Sequence, residues 1–112
     1  MFKTTGFSVG GAQENPNINT ISEIRLSLNP NPFKQYIEIS YQLSHSAQVS
    51  LRIYDLNGRE VAELVNQNQP AGSYQLNWDG KTDQGCQLNS GVFFYRLNID
   101  DQQLTGRIVK IN

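Results

Sequence analysis

The segment Gly6 to Gly10 has the residue types and spacing of a catalytic serine motif. Its sequence, Gly-Phe-Ser-Val-Gly, matches the G-x-S-x-G pattern of a nucleophile on a sharp strand-to-helix turn. Such a serine needs an acid and then a histidine further along the chain. Between Ser8 and the single histidine, His45, the only acidic residues are glutamates, and no aspartate is present. The 112 residues are also too few for a hydrolase of this kind. We expect Ser8 to belong to a glycine-containing linker and to take no part in catalysis.

Asp79 and Asp83, in the loop sequence WDGKTDQG, are the carboxylates best spaced to hold a cation. Calcium prefers oxygen-rich loops, but the alternating acids and final glutamate of an EF-hand are missing. A turn in which the Asp79 carboxylate accepts backbone N–H bonds explains the same residues better. His45 lacks the further ligands that a zinc site needs, and no spacing supports a glycosidase pair of carboxylates. We therefore predict no metal, no cofactor and no catalytic residue.

Aromatic side chains are numerous enough to make a sugar-stacking platform an alternative. Most of them occupy alternating strand positions that also carry Ile and Leu, which favours core packing. They are Tyr36, Tyr41, Tyr54, Tyr74, Trp78 and Tyr95.

The composition predicts one soluble domain. The net charge is −1 and the nine Lys and Arg residues are scattered, so nucleic acid is not an expected partner. No run approaches the ~18 apolar residues of a membrane span, and the first residues lack the pattern of a signal peptide. Cys86 is the only cysteine, so no internal disulfide is possible.

A series of short strands must position these groups. Apolar and polar residues alternate from Ile37 to Leu43 and again through Val49, Leu51 and Ile53, the period of half-buried strands. The connection SHSAQ is predicted to be a polar hairpin, and Asn57-Gly58 the tight turn of another. In REVAELV (59–65) the apolar residues Val61, Leu64 and Val65 also fit helical spacing, but the segment is too short for a stable lone helix, so a strand is favoured. Further strands are predicted in SYQLNWDG (73–80), VFFYRLNID (92–100) and QLTGRIVKI (103–111), with Asp100-Asp101 as a turn.

About seven such strands predict an all-β antiparallel sandwich over residues 23–112, with residues 1–22 as a flexible linker. The nearly continuous apolar run VFFYRLNID is predicted to be a central strand covered on both faces. The predicted core residues are Tyr41, Leu51, Ile53, Leu76, Trp78, Phe94 and Leu97.

Four ordered motifs carry a resemblance to a known family: NPNPF (29–33), IYDLNGREVAELV (53–65), PAGSYQLNWDG (70–80) and LNSGVFFYRL (88–97). In this order and spacing they resemble the type A C-terminal sorting domain of type IX secretion cargo, widespread in Bacteroidetes. They are also similar to the immunoglobulin-like module of the flagellar hook-capping protein. The matching residues are Pro30, Asn31, Pro32, Phe33, Asp55, Gly58, Val61, Gly72, Trp78, Asp79, Gly80, Ser90, Gly91, Tyr95 and Leu97.

The resemblance implies an immunoglobulin-like sandwich that is a binding signal and has no catalytic role. In that family the domain follows a cargo domain and brings it from the periplasm to an outer-membrane translocon. A sortase-like peptidase then removes the domain, and the cargo remains on the cell surface or in the medium. The family's last strand carries basic residues, matched here by Arg107 and Lys110, so the resemblance places the sorting signal at Arg107, Ile108, Val109 and Lys110. The expected cleavage point lies before Ser27.

Two alternatives remain open at this stage. A β-sandwich adhesion or carbohydrate-binding module would need a flat, exposed aromatic strip, so burial of Tyr41, Tyr74 and Trp78 would count against it. A flagellar capping-type assembly module would share the fold and would be expected to self-associate, because fold alone does not determine function.

Overall fold

The structure, a computed structural model, describes residues 25–112, and these residues form seven strands in two antiparallel sheets. The strands are β1 (Arg25–Asn29), β2 (Ile37–Leu43), β3 (Ala47–Tyr54), β4 (Glu60–Gln69), β5 (Gly72–Trp78), β6 (Gly91–Ile99) and β7 (Gln102–Lys110). One sheet has the order β1-β2-β5 and the other the order β4-β3-β6-β7. The prediction of an all-β immunoglobulin-like sandwich of about seven strands is confirmed. The linker predicted at residues 1–22, including Ser8, lies outside the described residues.

The core lies between the two sheets and follows the period-two alternation of the strands. In β2 the residues Ile37, Ile39 and Tyr41 are almost fully buried, and in β3 Val49, Leu51 and Ile53 are fully buried. Burying each such side chain stabilises the fold by roughly 1.5–3 kcal/mol, so these strands account for much of the folding free energy. The rest of the buried apolar set is Phe33, Leu43, Ala47, Ala62, Trp78, Phe93, Leu97, Ile99 and Ile108.

The prediction for the VFFYRLNID strand is half right. β6 is an interior strand of its sheet, but only one of its faces is buried. Phe93 points into the core at 7% exposure, whereas Phe94 points outward at 39%, so the assignment of Phe94 to the core is wrong. The physical reason is the pleat, which places adjacent residues on opposite faces even where both are aromatic. Leu76, also predicted in the core, is half-buried.

The segment SHSAQ is not a hairpin. It connects β2 to β3, which belong to different sheets, so the chain crosses from one layer of the sandwich to the other. Leu43 before the crossing and Ala47 after it are both buried. Pro70 and Ala71 make a similar crossing between β4 and β5. β1 was not predicted as a strand; it pairs with β2 at the edge of the smaller sheet.

The other turns match their predictions more closely. β3 and β4 form the predicted hairpin, with Gly58 at φ 82°, and β6 and β7 form a hairpin through Asp100 and Asp101. The residues between β3 and β4 make a wider turn than the two-residue one expected, because Asn57 does not take a positive φ. Residues 25–112 contain no helix long and apolar enough to cross a membrane.

Candidate functional site at one end of the sandwich

The strand registers bring most of the family-motif residues to one end of the sandwich, here called the motif end. At this end Ile37 pairs with Trp78, Tyr54 with Glu60, and Gly91 with Lys110. The loops that follow or precede these pairs hold Pro30, Asn31, Pro32, Phe33, Asp55, Gly58, Asp79, Gly80 and Ser90. Gly72 lies at the opposite end, paired with Leu43, and Tyr95 lies in the middle of β6.

The NPNPF segment attaches to the outer edge of β7 at the motif end. The Asn31 side chain donates from Nδ2 to the Arg107 carbonyl at 2.9 Å and accepts from the Val109 N–H at 3.0 Å. Next along the chain, Phe33 N–H donates to the Val109 carbonyl at 2.9 Å, and Ile111 N–H donates to the Phe33 carbonyl at 2.8 Å. Because Pro30 and Pro32 have no N–H, the asparagine side chain supplies the bonds that a backbone strand would make here.

Phe33 ties this edge to the core. Its side chain is 1% exposed and its ring centroid is 5.7 Å from that of Trp78, which in turn meets Phe93 edge-on at 5.9 Å. The Trp78 indole N–H donates to the Lys81 carbonyl at 3.0 Å, so its polar atom is also satisfied. These three aromatic rings close the core at the motif end.

Lys110 and Arg107 differ in their surroundings. Lys110 is 6% exposed, and its aliphatic stem covers Gly80 so closely that a Cβ there would lie 2.6 Å from Lys110 Cε. Arg107 is exposed on the outer face of β7. The residues to which the resemblance assigns the sorting signal thus include one exposed basic side chain, Arg107, and one buried one, Lys110. Residues three apart on a strand point to opposite faces, which is the physical reason. By the same alternation Ile108 is buried and Val109 is half-buried on the outer face.

Asp79 and Asp83 each accept hydrogen bonds from backbone N–H groups, and their donors lie in different segments of the chain. Asp79 Oδ1 accepts from Lys81 N–H at 3.2 Å, the predicted Asx-type turn, and Gly80 takes φ 79°. Asp83 accepts from Glu63 N–H at 3.1 and 3.2 Å and donates its own N–H to the Val61 carbonyl. Within residues 25–112 no three His, Cys, Asp or Glu side chains cluster as metal ligands do.

Asp83 therefore covers the exposed edge of β4 as NPNPF covers that of β7. β4 and β7 are the two edge strands of the larger sheet, and unpaired edges invite pairing with other chains. Both coverings lie at the motif end. This function of the WDGKTDQG loop was not predicted, since it depends on bonds between residues 20 or more positions apart.

Asp55 organises the turn between β3 and β4. Its Oδ1 accepts the N–H groups of Asn57 and Arg59 at 2.9 and 3.0 Å, and its Oδ2 accepts from Arg59 Nε at 3.0 Å. The bond from the Arg59 backbone, followed by those from the Arg59 side chain and Asn57, lowers the pKa of Asp55 below 3.8. The negative carboxylate is thus the form that the folded turn favours.

The remaining candidates have structural surroundings. His45 is exposed in the β2–β3 crossing, with Nδ1 3.0 Å from Ser44 Oγ and Nε2 3.6 Å from an Asp100 oxygen, in agreement with the predicted loop histidine. Tyr41 and Trp78 are buried, and the half-buried Tyr74 stacks on Tyr41 at 5.4 Å. These three rings form no flat exposed strip, which argues against the carbohydrate-binding alternative.

A sequence profile described as the FlgD Ig-like domain matches residues 31–103 of this chain. No curated protein sequence matches the chain significantly.

Three solved structures share the fold. Dimeric latent PorU from Porphyromonas gingivalis aligns with a TM-score of 0.63 and 19% identity, covering 77% of this chain and 9% of that one. PorZ of the same organism is described as an essential bacterial surface component of the type-IX secretion system. It aligns with a TM-score of 0.53 and 19% identity, covering 78% of this chain and 11% of that one. FlgD from P. aeruginosa aligns with a TM-score of 0.51 and 22% identity, covering 77% of this chain and 71% of that one. The chain thus spans about a tenth of the length of PorU and PorZ.

Proposed function

Because this chain belongs to the FlgD Ig-like domain family, we propose that it is a member adapted as the C-terminal sorting domain of a type IX secretion cargo. In this proposal the domain has no catalytic role. It follows a cargo domain, crosses the periplasm with it and is bound by the outer-membrane translocon and its shuttle and sortase components. The cargo is released to the cell surface or the medium.

One observation carries the proposal: three of the four motifs that resemble the sorting domain meet around the last strand. NPNPF bonds to the edge of β7, the WDG glycine lies under Lys110, and Gly91 of the LNSG motif pairs with Lys110. Residues far apart in the sequence thus hold the final strand in a defined position. This is the arrangement expected where that strand is the element to be recognised.

The similar solved structures support the proposed sorting function. PorZ is described as a component of the type-IX secretion system, and the matched part is about a tenth of its length, as expected for a module within a larger protein. The carboxylates considered for a cation site have other contacts, since Asp79 holds a turn and Asp83 bonds to a strand edge. These contacts are consistent with a binding module.

An export assay tests the proposal. The full 112-residue chain is fused behind a signal peptide and a reporter protein and expressed in a type IX-competent host and in the same host lacking the translocon. We expect the reporter at the surface or in the medium of the first host only. Retention in the periplasm of both hosts, with the fused domain folded, would contradict the proposal.

Deleting Arg107 to Asn112 is a poor test of the signal. The deletion also removes Ile108, Lys110 and the bonds to Asn31 and Phe33, so it would unfold the domain and block export for that reason alone. A single surface substitution such as Arg107→Glu removes the presented charge and keeps these contacts.

A flagellar capping-type assembly module is the second candidate. The observation that favours it is the FlgD structure from P. aeruginosa. The matched part makes up 71% of that chain, compared with about a tenth of PorU and PorZ. This function predicts self-association, which analytical ultracentrifugation of the full chain would detect. Assembly together with failure of the export assay would favour the flagellar reading.

A further inference from the structure

The outer face of the larger sheet carries a basic-aromatic face, defined by Tyr54, Val92, Phe94, Arg96, Arg107 and Val109. The registers place Tyr54, Phe94 and Arg107 in one row across β3, β6 and β7. Val92 and Val109 pair in the row on one side, and Arg96 lies two residues from Phe94 on the other. The six side chains therefore form a continuous surface, which includes the outward-facing residues of β7 at the motif end, Arg107 and Val109.

Phe94 is the unusual member of this face. Four large hydrophobic residues are exposed in the described chain, and Tyr36, Leu56 and Ile111 of these lie in loops or at the C-terminus. Phe94 alone lies within a strand, 39% exposed in the middle of a rigid sheet. An exposed aromatic held by a sheet loses little entropy on binding, which is why such residues are favoured at interfaces.

The charges on this sheet are separated across the strands. On the β3–β4 side Arg52 pairs with Glu63 at 3.0 Å and Glu60 at 3.7 Å. On the β6–β7 side the guanidinium of Arg96 lies 4.8 Å from the Tyr54 ring centroid, and the Arg107 side chain contacts no carboxylate of residues 25–112. Glu60, which is paired with Tyr54 in the register, and Glu63 are thus both engaged by Arg52, whereas Arg96 and Arg107 make no ion pair with a carboxylate of residues 25–112.

The outer face of the smaller sheet shows the contrast. Its rows carry no aromatic side chain and one charged residue of each sign: they are Arg25, Gln42 and Ser73, then Ser27, Ser40 and Gln75, then Asn29, Glu38 and Asn77. Such a surface is an ordinary solvated sheet face.

From this geometry we propose that the basic-aromatic face docks an acidic segment of a protein partner, with Phe94 contacting an apolar side chain and Arg96 and Arg107 contacting carboxylates. Charge complementarity identifies the partner's chemistry, because arginine binds carboxylates in a bidentate manner. The inference rests on the proposed function, in which this partner is a component of the export machinery. It also assigns the roles within the final strand: Arg107 and Val109 face the partner, whereas Ile108 and Lys110 hold the strand in place.

The first experiment uses export of the full-chain fusion. Phe94→Ser and Arg107→Glu are each expected to reduce export by about tenfold. The first removes a buried aromatic contact of the interface, and the second places a carboxylate against the partner's carboxylates. Leu56→Ser and Arg25→Glu are the matched controls, exposed residues of the same types outside this face, and they are expected to export normally. Thermal melts of every variant confirm that the domain is folded. Normal export of both F94S and R107E, with the wild type exported, would overturn the docking face and leave the proposed function intact.

The second experiment does not depend on export. NMR titration of the full chain uses two synthetic probe peptides, one of alternating Glu and Phe and one of alternating Gln and Phe. The acidic probe is expected to shift amide signals of Phe94, Arg96 and Arg107, and added salt is expected to reduce the effect. Equal shifts with the Gln probe, or shifts scattered over both sheets, would overturn the inference even if the fusion were never exported.

Discussion

The ring of Tyr95 on β6 lies directly over Gly106, its cross-strand neighbour on β7. A Cβ built on Gly106 would sit 2.5 Å from both Cε2 and the hydroxyl of Tyr95, far inside van der Waals contact. Gly106 does not have a positive φ, so the glycine is required by the ring and not by the backbone. Burial of the Tyr95 phenol, which disfavours its charged form, also raises its pKa above 10.0.

Gly106→Ala is therefore expected to destabilise the domain. The added methyl must displace the half-buried ring, which costs about 1–3 kcal/mol of unfolding free energy, measured by urea denaturation. Displacement would expose the phenol and bring its pKa back toward 10.0 in an absorbance titration. In a Tyr95→Ala background the same substitution should cost much less. Equal costs in the two backgrounds would show that the ring and the glycine are not coupled.

Strand alternation predicted much of this fold, and its failures have physical causes. The positions of Ile37, Tyr41, Leu51 and Ile53 followed from period two, whereas Phe94 was misplaced by reading an apolar run as buried on both faces. The same period could have placed Arg107 and Lys110 on opposite faces. What the sequence could not indicate is which sheet each strand joins, because a short polar loop serves a hairpin or a crossing equally well. The Asn31 bonds to β7 were likewise out of reach, since they join residues more than 70 positions apart.

Asn31→Ala is expected to lower the free energy of unfolding by about 1–3 kcal/mol, because two hydrogen bonds to β7 are lost at roughly 0.5–1.5 kcal/mol each. Asn31→Asp is the matched variant: it keeps an acceptor for Val109 N–H and removes the donor to the Arg107 carbonyl. Hydrogen exchange is the second measurement. The Val109 amide should exchange faster in N31A than in N31D, and equal protection in both would show that the side-chain acceptor is unimportant.

Asp55 is expected to make the domain sensitive to acid. Its pKa is below 3.8 in the folded chain, so the unfolded chain binds the proton more readily. The stabilisation is present above the unfolded value and is lost as the pH falls through the folded value. Asp55→Asn should therefore flatten the dependence of the melting temperature on pH below 3.8. Equal slopes in D55N and wild type would contradict the assignment.

Trp78→Ala is expected to be the most damaging single change, because the side chain is 2% exposed and contacts both Phe33 and Phe93. Truncating a buried aromatic of this size costs about 3–5 kcal/mol, a large share of a small domain's stability. Trp78→Phe should cost less, since it loses the bond to the Lys81 carbonyl but keeps most of the packing. Combining W78A with Phe33→Ala should give less than the sum of the two, with a coupling of about 0.5–3 kcal/mol in denaturant unfolding. Strict additivity would mean that NPNPF is not anchored to the core through this pair.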